Sequence, residues 1–360
     1  MRFLTVLGLG LLFTAPAPAV AAPDYAALLA AAADGPMVSG YRQFQADAAG
    51  LEQAVRGFCA APDAAGVDAV RGGFHAAMDS WQRVQWIGYG PVEAFHRGQR
   101  VQFWPDKKNA GDRQMLALIK DRKAEALEPN RIPFASVAIQ GLPALEMLLF
   151  AESQADKLLA GTEETAFRCK LLGGIANNLA RIGGELVHEW EKPDGFVTTL
   201  KSIGVAAGPY ADPRQAASQM FNALHGQLSA IAEVKLSYPL GANAGEARPN
   251  RAESWRARRS ARNIELNLHA VRAAFVAGIA PVLAADGKSA AGDRFVKSLD
   301  ESRAALAKLA APLEEEMTTP EGWARANAVK AKVKAAAQVL ETDIANALDL
   351  QVGFNALDGD

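Results

Sequence analysis

Residues 41–84 read YRQFQADAAGLEQAVRGFCAAPDAAGVDAVRGGFHAAMDSWQRV, and this stretch decides the fold class. Apolar side chains recur in it at steps of three and four residues, the spacing of one face of an α-helix. The two rows comprise Tyr41, Phe44, Ala48, Leu51, Val55 and Phe58, then Val67, Val70, Phe74, Ala77, Trp81 and Val84. We therefore predict two amphipathic helices that face one core and are joined by a turn at Pro62 and Asp63.

The same helical spacing continues through the rest of the chain, and no useful stretch shows the two-residue alternation of a β-strand. In the first half, the row from Phe167 to Trp190 predicts the longest helix. In the second half, one of several rows predicts a helix that starts near Ser254 and carries Ile264 and Leu268. The chain is therefore predicted to be all-α.

Length and glycine–proline content divide this all-α chain into two parts. The 360 residues exceed the roughly 250–300 residues at which a single hydrophobic core usually stops growing. The helical spacing lapses over residues 193–213, where glycine and proline accumulate. We predict an N-terminal helical bundle over residues 22–192, a connection over 193–213 and a C-terminal helical bundle over 214–360, packed together as antiparallel bundles.

The first 21 residues have the layout of a secretory signal peptide. Arg2 provides the positive start, residues 3–13 form a short apolar run, and Ala19-Val20-Ala21 is a small-x-small cleavage site. We predict export to the periplasm and a mature chain that begins at Ala22. No later run reaches ~18 uninterrupted apolar residues, so no transmembrane segment is predicted. The formal net charge of -2 provides no basic field that would attract nucleic acid.

The chain has two cysteines, Cys59 and Cys169, each within a predicted helix. In an oxidising compartment they can pair, and a disulfide that closes a loop of this length contributes about 4–5 kcal/mol in the chain-entropy model. The alternative is two buried free thiols, because the sequence alone does not place the two side chains near each other.

Three stretches carry a resemblance to a known family: Gln140–Glu146 (QGLPALE), Trp81–Gln85 (WQRVQ) and Phe103–Lys107 (FWPDK). Together they resemble the imelysin family, also called M75 peptidase-like or iron-regulated periplasmic proteins. The hallmark of that family is Gly-x-His-x-x-Glu, which on a helix sets an imidazole and a carboxylate one turn apart, a geometry suited to a metal. In this chain Pro143 takes the histidine position and Glu146 retains the carboxylate.

The resemblance covers nearly the whole mature chain, including the run over residues 353–360. It implies two related helical bundles with a functional cleft between them. It also implies that the loop bearing Trp104 and Asp106 borders the cleft that holds Glu146. The link between the family and iron uptake makes an iron-related role the leading expectation.

Glu146 is the first candidate ligand-binding residue, because its neighbours over residues 145–150 are apolar. A carboxylate in such surroundings is capping a helix start, paired, or in contact with a ligand. Gln140 opens the same stretch and belongs to the same candidate site. Trp104 and Asp106 are further candidates, since binding usually involves loops that carry large aromatic side chains beside charge.

Four polar residues complete the candidate ligand site. Arg83 lies off the apolar row of its helix, where it is either solvated or directed toward the cleft. Arg259, Ser260 and Asn263 lie beside an apolar row, and such a polar row either lines an interdomain cleft or is the solvated flank of a helix. We expect the Glu146 carboxylate to accept hydrogen bonds from a ligand, from Arg83 or from Arg259 across the cleft.

The sequence gives less support to a metal-binding site or to nucleophilic catalysis. A di-iron site of the bundle type would draw on Glu93-x-x-His96, Glu185-x-x-His188, Glu146 and Glu265. The first pair follows a proline in an irregular region, and the second lies near the polar end of its helix. The chain has no His-Glu-x-x-His and no Gly-x-Ser-x-Gly motif. We therefore predict no catalytic residue, no bound metal and no cofactor.

The sequence thus predicts an exported, non-catalytic binding protein whose interdomain cleft takes a small ligand, a metal complex or a peptide segment. One alternative is an M75-type metallopeptidase, which needs at least three protein ligands to a metal. The other alternative is a scaffold that docks an envelope protein, such as a component of a transport system.

Overall fold

The computed structural model describes residues 22–123, 125, 128–204 and 208–353. The protein is 76% helical and has no β-strand among these residues, so the prediction of an all-α fold is confirmed. The predicted signal peptide at residues 1–21 lies outside the described residues, as does most of the terminal run that contributes to the family resemblance.

Seventeen α-helices occupy the described residues. Those of the first half are α1 Tyr25–Ala32, α2 Val38–Ala60, α3 Ala64–Val84, α4 Arg97–Val101, α5 Ala110–Asp121, α6 Leu142–Phe150, α7 Gln154–Leu159, α8 Glu163–Glu191 and α9 Phe196–Lys201. Those of the second half are α10 Pro213–Ser229, α11 Tyr238–Leu240, α12 Ser260–Ala274, α13 Ala280–Ala285, α14 Ser289–Leu306, α15 Leu313–Glu316, α16 Pro320–Val339 and α17 Ala345–Ala347.

Besides the α-helices, the described residues form π-helical and 3₁₀-helical segments. The π-helical segments are Ala33–Met37, Ala230–Ser237, Phe275–Ile279 and Leu340–Ile344. The 3₁₀ segments are Gly90–Val92, Ala94–His96, Ile132–Phe134, Val137–Ile139, Ala244–Glu246 and Pro249–Arg251.

The first bundle centres on α2, which packs against α3 and α8. The side chain of Asp63 accepts a hydrogen bond from the backbone N–H of Gly66 and so caps the start of α3 after the predicted turn. Gly183 on α8 faces Gln45, where an added Cβ would lie 2.9 Å from the Gln45 Cα. The absence of a side chain at Gly183 therefore permits the close approach of α8 to α2.

A disulfide between Cys59 and Cys169 joins the end of α2 to α8, with the two Cα atoms 5.6 Å apart. This distance lies within the usual range for a disulfide.

The second bundle forms where α14 packs against α12 and α16, and α16 in turn packs against α10. The rings of Phe275 and Phe295 meet edge to face in its core, with centroids 4.6 Å apart. Helix α1 packs against α10 and the Phe275–Ile279 segment, and the Tyr25 hydroxyl donates to the Leu348 carbonyl oxygen at 2.6 Å. The first helix of the chain therefore lies against the second half, whereas the predicted boundaries placed it in the first.

Two boundaries differ from the sequence predictions. The helix expected from Ser254 begins at Ser260 instead, because Ser254 and Arg258 have positive φ values of 52° and 55° that a helix excludes. The start of α12 is capped by a residue that is remote in the sequence: the Glu314 carboxylate accepts from the backbone N–H of Ser260 at 3.1 Å. Helix α9 lies inside the predicted connection at residues 193–213.

The helical stretch Ser260–Ala285 is long and apolar enough to cross a membrane. We did not predict this from the sequence, because we looked for ~18 uninterrupted apolar residues. Core helices of soluble proteins pass the same test of length and composition. Here Ile264, Leu268 and Val271 are fully buried against the rest of the protein, which is the packing of a core helix.

Candidate functional site

A cavity of about 110 Å³ lies between residues 102–147 of the first half and residues 238–256 of the second. Trp104, Asp106, Pro143 and Glu146 line one side of it, and Tyr238, Trp255 and Arg256 line the other. Water needs roughly 10–15 Å³ of such space, so the cavity has room for several waters or for a small ligand. This cleft cavity, as we call it, contains three of the predicted site residues: Trp104, Asp106 and Glu146.

The motif glycine positions the wall that bears Glu146. Gly141 precedes α6, and a Cβ added to it would lie 2.2 Å from the carbonyl oxygen of Val101. Only glycine therefore allows α6 to start against the end of α4, beside the loop that carries Trp104. Pro143 lies in the first turn of α6, as predicted, where its missing N–H costs no hydrogen bond.

Glu146 is buried, with 4% of its surface exposed. Its Oε1 atom accepts from the backbone N–H groups of Arg256 at 2.7 Å and Ala257 at 3.0 Å. Its Oε2 atom has no hydrogen-bond partner among the described residues. The carboxyl group thus joins the two halves through one oxygen, while the other is left for a ligand or water in the cleft cavity.

Burial raises the pKa of the Glu146 carboxyl from 4.5 to about 7, although the two backbone hydrogen bonds and the positive charge of Arg256 act in the opposite direction. The Arg256 guanidinium pairs with Asp112, with Nη2 and Oδ2 2.5 Å apart, and lies 4.3 Å from the Trp255 ring centre. Glu146 therefore has backbone donors but no ion-pair partner among the described residues.

The expected hydrogen bonds from Arg83 and Arg259 to Glu146 do not occur in the structure. Arg83 is exposed, and its Nη1 atom lies 3.4 Å from Nδ1 of His269 in a separate groove. Arg259 is buried, and its guanidinium is instead bound by Asp79. Glu146 accepts from backbone N–H groups of the turn that precedes α12.

Asp106 has a structural contact at the edge of the cleft cavity. Its Oδ2 atom accepts from the backbone N–H of Gly111 at 2.7 Å, in the first turn of α5. This bond satisfies a donor that the helix leaves free at its start. Asp106 therefore fixes the loop that carries Trp104 and the cis peptide bond between Trp104 and Pro105.

Gln140 lies behind the cleft cavity, fully buried. Its Oε1 atom accepts from Arg100 Nε at 2.9 Å and from Asn178 Nδ2 at 3.3 Å, and its Nε2 atom donates to the Ala135 carbonyl oxygen at 2.5 Å. These bonds use both lone pairs of the amide oxygen and one of its two N–H groups, so Gln140 holds the segment before α6 in place.

Ser260 and Asn263 hold the turn whose N–H groups bind Glu146. The Ser260 hydroxyl donates to the Glu253 carbonyl oxygen at 2.6 Å. The Asn263 amide donates to Glu253 Oε2 at 2.9 Å and to the Ser254 hydroxyl at 3.2 Å. Both residues are buried at the junction of the two halves. Their polar row therefore supports the cleft without lining the cavity.

Sequence reasoning missed a buried polar network centred on Lys235. The Lys235 ammonium shares its three N–H donors among four oxygens within hydrogen-bonding distance: Gln82 Oε1, Gln85 Oε1 and Glu253 Oε2, each at 2.8 Å, and Asn267 Oδ1 at 2.6 Å. Burial lowers the pKa of Lys235, and the adjacent Glu253 opposes that shift. The signal in the sequence was weak: residues 230–240 are mostly apolar, but they contain Glu233 and Ser237 as well as Lys235.

Gln102 extends this network toward the cleft cavity, which it lines. Its Oε1 atom accepts from the amides of Gln82 at 3.0 Å and Gln85 at 3.1 Å, and its own amide donates to Glu253 Oε1 at 2.8 Å. Residues from both halves thus form one hydrogen-bonded group immediately beside the cavity.

The residues that a di-iron site would need are separated and otherwise engaged. Glu93 accepts from the Gly90 N–H at 3.1 Å, Glu185 pairs with Arg97 at 3.1 Å, and Glu265 pairs with Arg303 at 2.6 Å. Among the residues that the structure describes, no group of three or more His, Cys, Asp or Glu side chains could hold a metal ion. Pro143 offers no donor, so the residues at the family motif do not fit a metal centre.

Fold and site together define a helical protein with a polar cleft cavity between two halves. The sequence profile of the Imelysin family matches residues 37–340, so the chain belongs to the imelysin family. An iron-regulated protein A from Synechococcus elongatus is 27% identical over 237 residues, which cover 65% of this chain and 59% of that protein. The match therefore spans less than two thirds of that relative.

Two solved structures share the fold. An imelysin-like protein from Psychrobacter arcticum 273-4 superposes with a TM-score of 0.77 at 18% identity, covering 93% of this chain and 100% of the other. A protein described as an iron-regulated protein A precursor from Parabacteroides distasonis ATCC 8503 gives a TM-score of 0.75 at 16% identity, covering 91% and 98%.

Proposed function

We propose that this chain is an exported binding protein whose cleft cavity takes a small polar ligand without catalysing a reaction. The observation that carries the proposal is Glu146. Its Oε1 is fixed by two N–H groups of the other half, while its Oε2 has no partner among the described residues and the residue lines the cavity. A carboxylate oxygen that makes no hydrogen bond within the protein and belongs to a residue lining the cavity is available to accept one from a ligand.

An iron-related ligand is the leading candidate, because two relatives bear names that describe them as iron-regulated. The cavity has no donor set for a bare metal ion, so the ligand would be an iron complex whose other donors hold the metal. Trp104 and Trp255 in the cavity wall provide flat surfaces for such a complex.

The test compares the intact protein with Glu146→Gln and uses Glu152→Gln, an exposed position just after the same helix, as the matched control. Ferric citrate, citrate alone and ferrous ion are the probes, followed by calorimetry and tryptophan fluorescence. We expect ferric citrate to bind the intact protein and the Glu152→Gln control alike. We expect binding to be roughly 10-fold to 100-fold weaker in Glu146→Gln, since hydrogen bonds to charged groups contribute about 1.5–3 kcal/mol.

Metal analysis of the purified protein separates this proposal from a metallopeptidase. One tightly held metal ion per chain, lost in Glu146→Gln and accompanied by chelator-sensitive proteolysis, would place the protein in the enzyme class instead. Equal responses of Glu146→Gln and Glu152→Gln to every probe would also count against the proposal.

Export is tested separately. One relative is described as a precursor, and the first 21 residues have the pattern of a cleaved signal. N-terminal sequencing of protein from the periplasmic fraction should begin at Ala22. Recovery of the uncleaved chain from the cytoplasm would refute this part of the proposal.

A further inference from the structure

Two arginines of the second half are stacked on aromatic rings at the cleft cavity. The guanidinium carbon of Arg256 lies 4.3 Å from the centre of the Trp255 ring. That of Arg251 lies 5.0 Å from the centre of the Tyr238 ring. All four residues line the cavity. A guanidinium that stacks on a ring is held in one orientation, and its planar fork of N–H groups matches the two oxygens of a carboxylate.

The two arginines differ in their partners. Arg256 pairs with Asp112, whose carboxylate belongs to the first half. Arg251 is exposed, so it lies at the mouth of the cavity, and its side chain has no ion pair or hydrogen bond among the described residues. The N–H groups of the Arg251 guanidinium are therefore available to a ligand.

The four carboxyl groups of residues that line the cavity are engaged by other partners. Asp112 and Glu253 are each paired with another cation. Asp106 and Glu146 accept hydrogen bonds from backbone N–H groups. In the part of the chain that the structure describes, the cavity thus offers Arg251 no counter-ion, and an anionic group on a ligand would supply one through charge-assisted hydrogen bonds.

Glu146 sets a second requirement for the ligand. Its Oε2 atom has no hydrogen-bond partner among the described residues and can accept a hydrogen bond from a ligand. Arg251 asks for an acceptor with negative charge, whereas Glu146 asks for a donor. One small molecule meets both requirements if it carries a carboxylate and a hydroxyl group.

We infer that the ligand of the cleft cavity is a hydroxycarboxylate, whose carboxylate binds the Arg251 guanidinium and whose hydroxyl donates to Glu146 Oε2. This inference rests on the proposed function, because it names the class of ligand for the same cavity. Citrate, which is among the probes of the proposed function, belongs to this class, and ferric citrate is an iron complex of it.

The test of the carboxylate contact measures the binding of ferric citrate and of citrate by calorimetry. Arg251→Gln should weaken the binding of both by at least about tenfold, the scale of one hydrogen bond to a charged group. The matched control is Arg248→Gln, because Arg248 is exposed and donates to the carbonyl oxygens of Glu246 and Ala247. This control should bind both probes as the intact protein does.

A third variant separates charge from geometry. Arg251→Lys keeps the positive charge but loses the planar fork, so it should bind citrate less tightly than the intact protein and more tightly than Arg251→Gln. Circular dichroism checks that all three variants fold.

The test of the hydroxyl contact compares citrate with tricarballylate, which has the same three carboxylates and lacks only the hydroxyl. Citrate should bind the intact protein at least about fivefold more tightly, because tricarballylate leaves the Glu146 oxygen without a donor. Glu146→Gln should remove this preference, since the amide N–H₂ group that replaces Oε2 cannot accept from the hydroxyl. Arg251→Gln should preserve it.

The outcomes distinguish this inference from the proposed function. Ferric citrate that binds Arg251→Gln and Arg248→Gln equally well would overturn the inference and leave the proposed function standing. Equal binding of citrate and tricarballylate to the intact protein, or binding of ferric citrate without binding of citrate, would also overturn the inference alone. Failure of the intact protein to bind any of the three probes would overturn both.

Discussion

Glu146 combines burial with two backbone hydrogen bonds from the other half of the molecule. Its pKa is raised from 4.5 to about 7, so the folded chain holds a proton that the unfolded chain releases between these pH values. Stability therefore falls as pH rises through this window, by up to ~3 kcal/mol. In Glu146→Gln the amide oxygen can accept the same two bonds, and the residue does not ionise.

This difference gives a prediction for urea unfolding at pH 5 and pH 8. The free energy of unfolding of Glu146→Gln minus that of the intact protein should be ~1–3 kcal/mol larger at pH 8 than at pH 5, because only the intact protein loses stability over this range. The exposed control Glu152→Gln should show no such pH dependence. An unchanged difference for Glu146→Gln between the two pH values would show that burial does not set the ionisation of this carboxyl.

At the scale of helices, the apolar rows at steps of three and four predicted most elements, because each row depends only on residues within one helix. The contacts that build the cleft were not predictable in this way. Glu146 binds a turn 110 residues further along the chain, and Ser260 is capped by Glu314. Gln140 and Asn263 were predicted as ligand-binding residues, whereas the hydrogen bonds that the structure shows for them are to other protein groups, which only the packing reveals.

The disulfide between α2 and α8 gives a prediction at the same scale. Cys59 and Cys169 are 110 residues apart in sequence, and a crosslink that closes a loop of this length contributes about 4–5 kcal/mol in the chain-entropy model. Cys59→Ser with Cys169→Ser should lower the free energy of unfolding by an amount approaching that value. Reductant should destabilise the intact protein and leave the double variant unaffected. Mass spectrometry that finds two alkylated thiols in unreduced protein would contradict the disulfide.

At the scale of the whole molecule, the Lys235 network couples the two halves. The lysine belongs to the second half, whereas Gln82 and Gln85 belong to the end of the first bundle. Asn267 of α12 also donates to the backbone carbonyl of Gln82 at 2.7 Å. Because these groups are buried, unfolding one half leaves polar and charged groups of the other without partners. We therefore expect the intact protein to unfold in one cooperative transition.

Lys235→Met tests this coupling. The methionine fills a similar volume but leaves the Glu253 carboxylate, 1% exposed, without its cation, and breaking a buried pair in this way costs about 3–5 kcal/mol. The control is Lys334→Met, whose half-exposed pair with Glu233 should contribute less than ~1 kcal/mol. Adding Glu253→Gln to Lys235→Met should recover part of the loss, because the uncompensated charge is removed.

Circular dichroism and tryptophan fluorescence followed through the same urea titration measure the coupling directly. The two signals should coincide in the intact protein and in Lys334→Met, and separate in Lys235→Met, because each half then unfolds at its own urea concentration. Coincident transitions in Lys235→Met, together with a loss of stability no larger than that of Lys334→Met, would show that the halves are held together by their apolar contacts alone. In that case α3 and α12, which pack against each other across the junction, would carry the coupling in place of the lysine.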